Sequence, residues 1–172
     1  PPVPAPVVQA APVPPDEPAG RAAQAPALDA RGLAALRSEL ARQTGDDGEL
    51  FAADTPEGQL SFHPLGQGRW LVEALCWRAA YNEGSCYWVI QGRPPHRPER
   101  VTHLGNAYVD GVIMADHKGR GLGDCMDHDD WTWNGQRFVH TSSYTTGLCR
   151  LVTPGGAWQL PTWVTEVKAA RP

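Results

Sequence analysis

The side chains able to do chemistry crowd into one stretch. Asp116, His117, Asp124, Asp127, His128, Asp129 and Asp130 place seven oxygen or nitrogen donors within fifteen positions. Oxygens gathered on a Gly-rich loop are what a hard cation takes, so the stretch is a candidate Ca²⁺ site with Asp116, Asp124, Asp127 and Asp129 as ligands, Zn²⁺ being the lesser fit. The spacing matches no EF-hand loop, and a solvated acidic loop is the plainer reading. Gly119-Arg120-Gly121-Leu122-Gly123 has neither the Walker spacing nor a following helix. Its glycines shape a tight connection, and Lys118 and Arg120 stand beside it as candidate ligand-binding cations. Nucleophilic catalysis has less to work with. There is no Gly-x-Ser-x-Gly elbow and no His-Glu-x-x-His, and Cys125 next to Asp124 lacks the positive setting that lowers a thiol pKa. His63, His96, His103 and His140 are scattered singly and read as surface or packed residues.

Seven Trp offer rigid apolar area, mostly for a core, with Trp131 and Trp133 as candidates for an exposed ligand face. Four cysteines, Cys76, Cys86, Cys125 and Cys149, allow three pairings. Joining neighbours, Cys76 with Cys86 and Cys125 with Cys149, is the simplest of them. Each closed loop would contribute roughly 2 to 4 kcal/mol. Two such bonds place the chain in an oxidising compartment, whereas four buried thiols would suit the cytosol. No Cys-x-x-Cys is present, which removes the commonest zinc and thioredoxin spacings.

These residues need a scaffold, and the punctuation of the chain says which kind. Nine of the seventeen prolines fall in residues 1–26, where only Asp16, Glu17 and Arg21 are charged. Pro fixes φ and donates no amide, so this tract is an extended linker, a tether to an anchor or a preceding domain. From Asp29 the pattern changes. Leu33, Leu36 and Leu40 recur at helical steps, and the spacing predicts one amphipathic helix over 29–44, capped by Asp29 and ended near Gly45. Beyond it come short apolar runs between Gly, Pro, Asn and Asp, the mark of strands. The expected strands are 59–64, 69–77, 86–91, 107–116, 130–133, 136–141, 148–152 and 163–167. Asn134-Gly135 between Trp133 and Gln136 predicts a hairpin with a type I′ turn. Residues 27–172 are therefore read as one disulfide-clipped, mainly β domain, a compact antiparallel sandwich or barrel-like sheet with a single N-terminal helix.

Charge and length exclude some functions. Fifteen Lys+Arg against nineteen Asp+Glu give a net charge of −4 over 172 residues. That removes the basic footprint a nucleic acid would require. No run of apolar residues is long enough to span a bilayer, and the chain begins with neither Met nor a signal peptide, so it is read as processed.

The run Lys118-Gly119-Arg120-Gly121-Leu122-Gly123-Asp124-Cys125, then Trp131-Thr132-Trp133-Asn134-Gly135-Gln136-Arg137-Phe138, then Cys149-Arg150, resembles the bacterial family of domain of unknown function 1176. Leu71-Val72-Glu73, Cys76-Trp77-Arg78-Ala79-Ala80-Tyr81-Asn82 and Tyr87-Trp88-Val89-Ile90 are similar to its middle block. The likeness covers about residues 50–165. Ala80, Met126 and Asn134 depart from the usual Gly, Gly and Asp. The resemblance implies an exported protein of Gram-negative bacteria and brings no catalytic residues. Together these readings give a periplasmic or cell-surface binding module for an envelope protein or glycan, without cofactor. The rivals are a Ca²⁺- or Zn²⁺-dependent hydrolase centred on 116–130 and a structural subunit of a surface assembly.

Overall fold

The computed structural model describes residues 3–15, 26, 28–45 and 58–169. Asp16, Glu17 and Arg21 of the Pro-rich tract lie outside them. The described chain is mainly β, with antiparallel sheets and one helix, as the patterning predicts. The elements are β1 (Val7–Gln9), α1 (Ala30–Thr44), β2 (Ser61–Gly66), β3 (Arg69–Arg78), β4 (Glu83–Gln91), β5 (Glu99–Gly105), β6 (Ala107–Val109), β7 (Val112–Lys118), β8 (Met126–Trp133), β9 (Phe138–Thr145), β10 (Leu160–Val164) and β11 (Glu166–Lys168). They form a five-stranded sheet, a four-stranded sheet and a two-stranded ribbon, each with free edges, so none is a closed barrel.

The chain forms two compact units. One, the helical unit, takes Val13–Arg78 and Glu83–Leu104; the other, the acidic unit, takes Pro1–Pro12, Ala79–Asn82 and Gly105–Pro172.

In the helical unit the sheet order is β2-β3-β4-β5. Asp29 caps α1 by accepting from Gly32 N at 2.7 Å, and Gly45, with φ 62°, ends it. Leu36 and Leu40 pack on one sheet face, against Val72, Ala74 and Cys76 of β3 and Cys86, Trp88 and Ile90 of β4. Those six alternate along their strands, so one face is sealed completely. Cys76 is bonded to Cys86, with Cα atoms 5.5 Å apart. A bulge between Leu75 and Trp77 lets the Trp77 indole cross above Gly84, where a Cβ would collide with the ring. Trp77 Nε1 donates to His103 O at 2.8 Å. Strand β5 falls outside the strands that the sequence pattern predicts, and Pro94, Pro95 and Pro98 come just before it.

In the acidic unit the order is β10-β9-β8-β7-β6. Val7–Gln9, expected as free tether, instead run parallel to β11, and Ala11 N donates to Trp133 O at 3.0 Å. The Val-Val-Gln run lacks Pro and can offer amides to the ladder. The segment 148–152, expected as a strand, is a loop, since Leu151 has φ 57° and its amide is drawn to Asp124. The Trp133–Phe138 hairpin forms, but with a four-residue connection. Asn134 Oδ1 accepts from both Gln136 N and Arg137 N at 2.9 Å, and only Gly135 takes positive φ. Two-residue turns with positive φ at both positions occur at Asp110-Gly111 and, in the helical unit, at Gln67-Gly68.

Candidate functional site

The period of a strand sorts the acidic stretch onto two faces. Along β8, His128, Asp130 and Thr132 share one face, and Asp127, Asp129, Trp131 and Trp133 share the other. The β7 register sets Asp116 opposite His128. His128 Nδ1 lies 2.7 Å from Asp116 Oδ1, and its Nε2 lies 2.9 Å from Asp130 Oδ1. The imidazole is thus held at both nitrogens, and the Tyr144 ring from β9 stacks on it at 4.6 Å and 19°. Burial works against a charged imidazole here, yet the hydrogen bonds and charges of Asp116 and Asp130 outweigh it and hold the His128 pKa above its usual value. Burial first, then the same two carboxylates, push the Tyr144 phenol up.

Next to Asp130 the β8–β9 register slips by one residue, pairing Asp130 with Ser142 and Trp131 with His140. Thr141 is the extra residue, and the bulge turns Thr141 and Ser142 together toward Asp130. Thr132 and Thr141 hydroxyls meet at 2.9 Å. These residues open a cleft of about 500 Å³, whose polar lining includes Asp130, Thr132, Thr141, Ser142, Tyr144 and Thr165. Val112, Pro161, Val164 and Val167 supply apolar walls, and no Lys or Arg lines it. Thr165 Oγ1 is buried without a hydrogen-bond partner among the described residues. Hydroxyls, one fixed carboxylate and apolar patches can hold a polyhydroxylated molecule by its oxygens and its C–H faces.

The residues singled out from sequence fare differently. Asp116 joins the His128 clamp, while Asp127 and Asp129 lie on the reverse face, where Asp129 Oδ1 is 2.8 Å from His140 Nε2. Asp124, only 5% exposed, is taken by Arg120 through two hydrogen bonds of 2.7 and 2.6 Å and by Leu151 N at 2.7 Å. The four carboxylates expected to share a cation are therefore not brought together. Among the described residues, the one group of three His, Cys, Asp or Glu residues whose ligand atoms, one from each, all lie within 4.8 Å of one another is Asp124 with Cys125 and Cys149, whose sulfurs bond each other and so offer no thiolate.

Arg120's hydrogen bonds outweigh burial and hold Asp124 well below the usual carboxylate range. Its fork is thereby used within the loop rather than offered to an anion. Lys118 ends β7 exposed, its backbone bonded in both directions to the Asn82 side chain at 2.9 Å. Trp133 is 2% exposed and packs on Phe138, so it is core and not a platform. Trp131 stays half-buried beside His140, with ring centroids 5.2 Å apart. Sequence reasoning passed over Thr141, Ser142 and Tyr144; the signal was the hydroxyl run from Thr141 to Thr145 facing an alternating His-x-Asp-x-Thr strand.

The family model described as a protein of unknown function (DUF1176) matches residues 1–165, reaching through the Pro-rich tract as well as the sheets. No curated protein and no solved structure matches the chain.

Proposed function

The chain belongs to the DUF1176 family, and from that premise we propose that it is an exported, non-enzymatic binding module whose ligand is a glycan of the cell envelope. The carrying observation is the cleft of the acidic unit, where His128 fixes Asp130 beside a wall of hydroxyls. A carboxylate held in one orientation accepts paired sugar hydroxyls, and the Val and Pro walls suit the apolar face of a pyranose.

Binding is favoured over hydrolysis by the state of the one histidine in the clamp. Both of its nitrogens are bonded to carboxylates, so the charged form is favoured and no lone pair is left to act as a base. Two disulfides suit a chain that folds outside the reducing cytosol. No helix among the described residues is long and apolar enough to cross a membrane. A periplasmic or cell-surface site, held by the N-terminal side, follows from the same reading.

The test is calorimetric titration of the disulfide-intact chain with soluble neutral, N-acetylated, amine-bearing and uronate oligosaccharides. At least one class binds, and Asp130→Asn weakens that binding about tenfold or more, the range of a lost charged hydrogen bond. Silence across all four classes contradicts the reading.

A further inference from the structure

We infer that the cleft selects glycans that carry a protonated primary amine, an inference that rests on the binding reading above. The first ground is charge. Asp130 is the one ionised side chain in the lining, and behind it stand His128 and Asp116. Two carboxylates against one imidazolium leave a net negative charge at the cleft floor. No Lys or Arg in the lining offsets it. A uronate would bring a second carboxylate to that floor without a counter-charge, and a desolvated like pair is strongly unfavourable.

The second ground is the supply of acceptors. Asp130 Oδ1 is committed to His128, which leaves its other oxygen for a ligand. The bulge turns Thr141 and Ser142 to the same side, and the Thr132–Thr141 pair places both its hydrogens internally, one between the two hydroxyls and one from Thr141 Oγ1 to Asp130 O at 3.4 Å, which leaves oxygen lone pairs as acceptors. An ammonium has three donors and no acceptor, so an ionised oxygen ringed by hydroxyl oxygens satisfies it more fully than it satisfies a neutral hydroxyl.

The probes are a tetramer of glucosamine and the matched tetramer of N-acetylglucosamine, titrated into the disulfide-intact chain at a pH that keeps the amine protonated. The amine-bearing tetramer binds at least tenfold tighter, and the margin shrinks in high salt, which screens a charge pair and leaves neutral contacts alone. Asp130→Asn removes the margin while both tetramers retain weak binding. Ser142→Ala, which takes away a hydroxyl and no charge, weakens both alike and preserves the margin, and so serves even if the Asn variant is poorly folded. Equal affinity for the two tetramers overturns the amine selection and leaves the glycan reading standing. Tighter binding of a uronate tetramer overturns it as well. Binding by none of these three overturns the inference, and silence from a neutral oligosaccharide as well overturns the reading beneath it.

Discussion

The two units use a sheet face in opposite ways. In the helical unit, α1 covers the face formed by Val72, Ala74, Cys76, Cys86, Trp88 and Ile90, and none of the six is more than 2% exposed. In the acidic unit, the face of Asp116, His128, Asp130, Ser142 and Tyr144 keeps part of its area open, and its polar groups hold one another in place. A face that is closed by a helix stores stability; a face organised by charge and left open is available to a ligand. The difference predicts that substitutions in the first region change folding and leave binding per folded molecule alone, and that substitutions in the second change binding with smaller effects on folding.

The largest effect belongs to the covered face. Trp88→Ala empties a fully buried indole and is expected to destabilise by about 3 to 5 kcal/mol, read as the urea midpoint of the disulfide-intact chain. Removing a staple comes next. Replacing Cys76 and Cys86 by Ala opens a loop with a sequence separation of 10, and replacing Cys125 and Cys149 opens one of 24. The chain-entropy estimate is near 3 kcal/mol for each, slightly larger for the longer loop, and comparing the two denaturation curves checks the order. Gly84→Ala forces the Trp77 indole aside at a cost of about 1 to 3 kcal/mol, visible as a lowered Tm with unchanged glycan binding.

Smaller effects sharpen the other side of the comparison. Because the folded-state pKa of His128 is raised, the stability its imidazolium contributes is fully present below the unfolded value near 6.5 and is lost as pH rises through the folded value. Denaturation at about pH 6 and about pH 9 is expected to show the wild type losing on the order of 1 kcal/mol across that step, and His128→Gln losing less. If the variant follows the same curve, the clamp makes no contribution to stability. Smallest of all is Arg42→Ala on the exposed face of α1. It breaks the solvent-screened pair with Glu39, and the urea midpoint is expected to stay at the wild-type value.

How legible each region was follows from the range of the forces that build it. The helix was readable because its signals are local: Leu at helical steps, a capping Asp and a terminating Gly. The Trp133–Phe138 hairpin was readable too, yet its turn type was not, because the Asn134 side chain captures two amides that a tighter turn would arrange differently. Strand β1 depends on partners about 160 positions away in sequence, as in the bond from Gln9 Nε2 to Ala169 O, and no local pattern announces that. The acidic stretch misled in a simple way. Its density invited a shared cation, while strand alternation divided its carboxylates between two faces and gave each a different partner. The cleft itself turns on a one-residue slip at Thr141, which the sequence marks only by a run of hydroxyls.

The most direct test of the account is to follow backbone amide shifts of the folded chain during titration with the oligosaccharide that binds best. The account predicts shifts concentrated at Asp130, Thr132, Thr141, Ser142, Tyr144 and Thr165, and quiet amides along α1 and β3. Saturable binding whose shifts fall on α1 or β3, with β8 and β9 undisturbed, would contradict it.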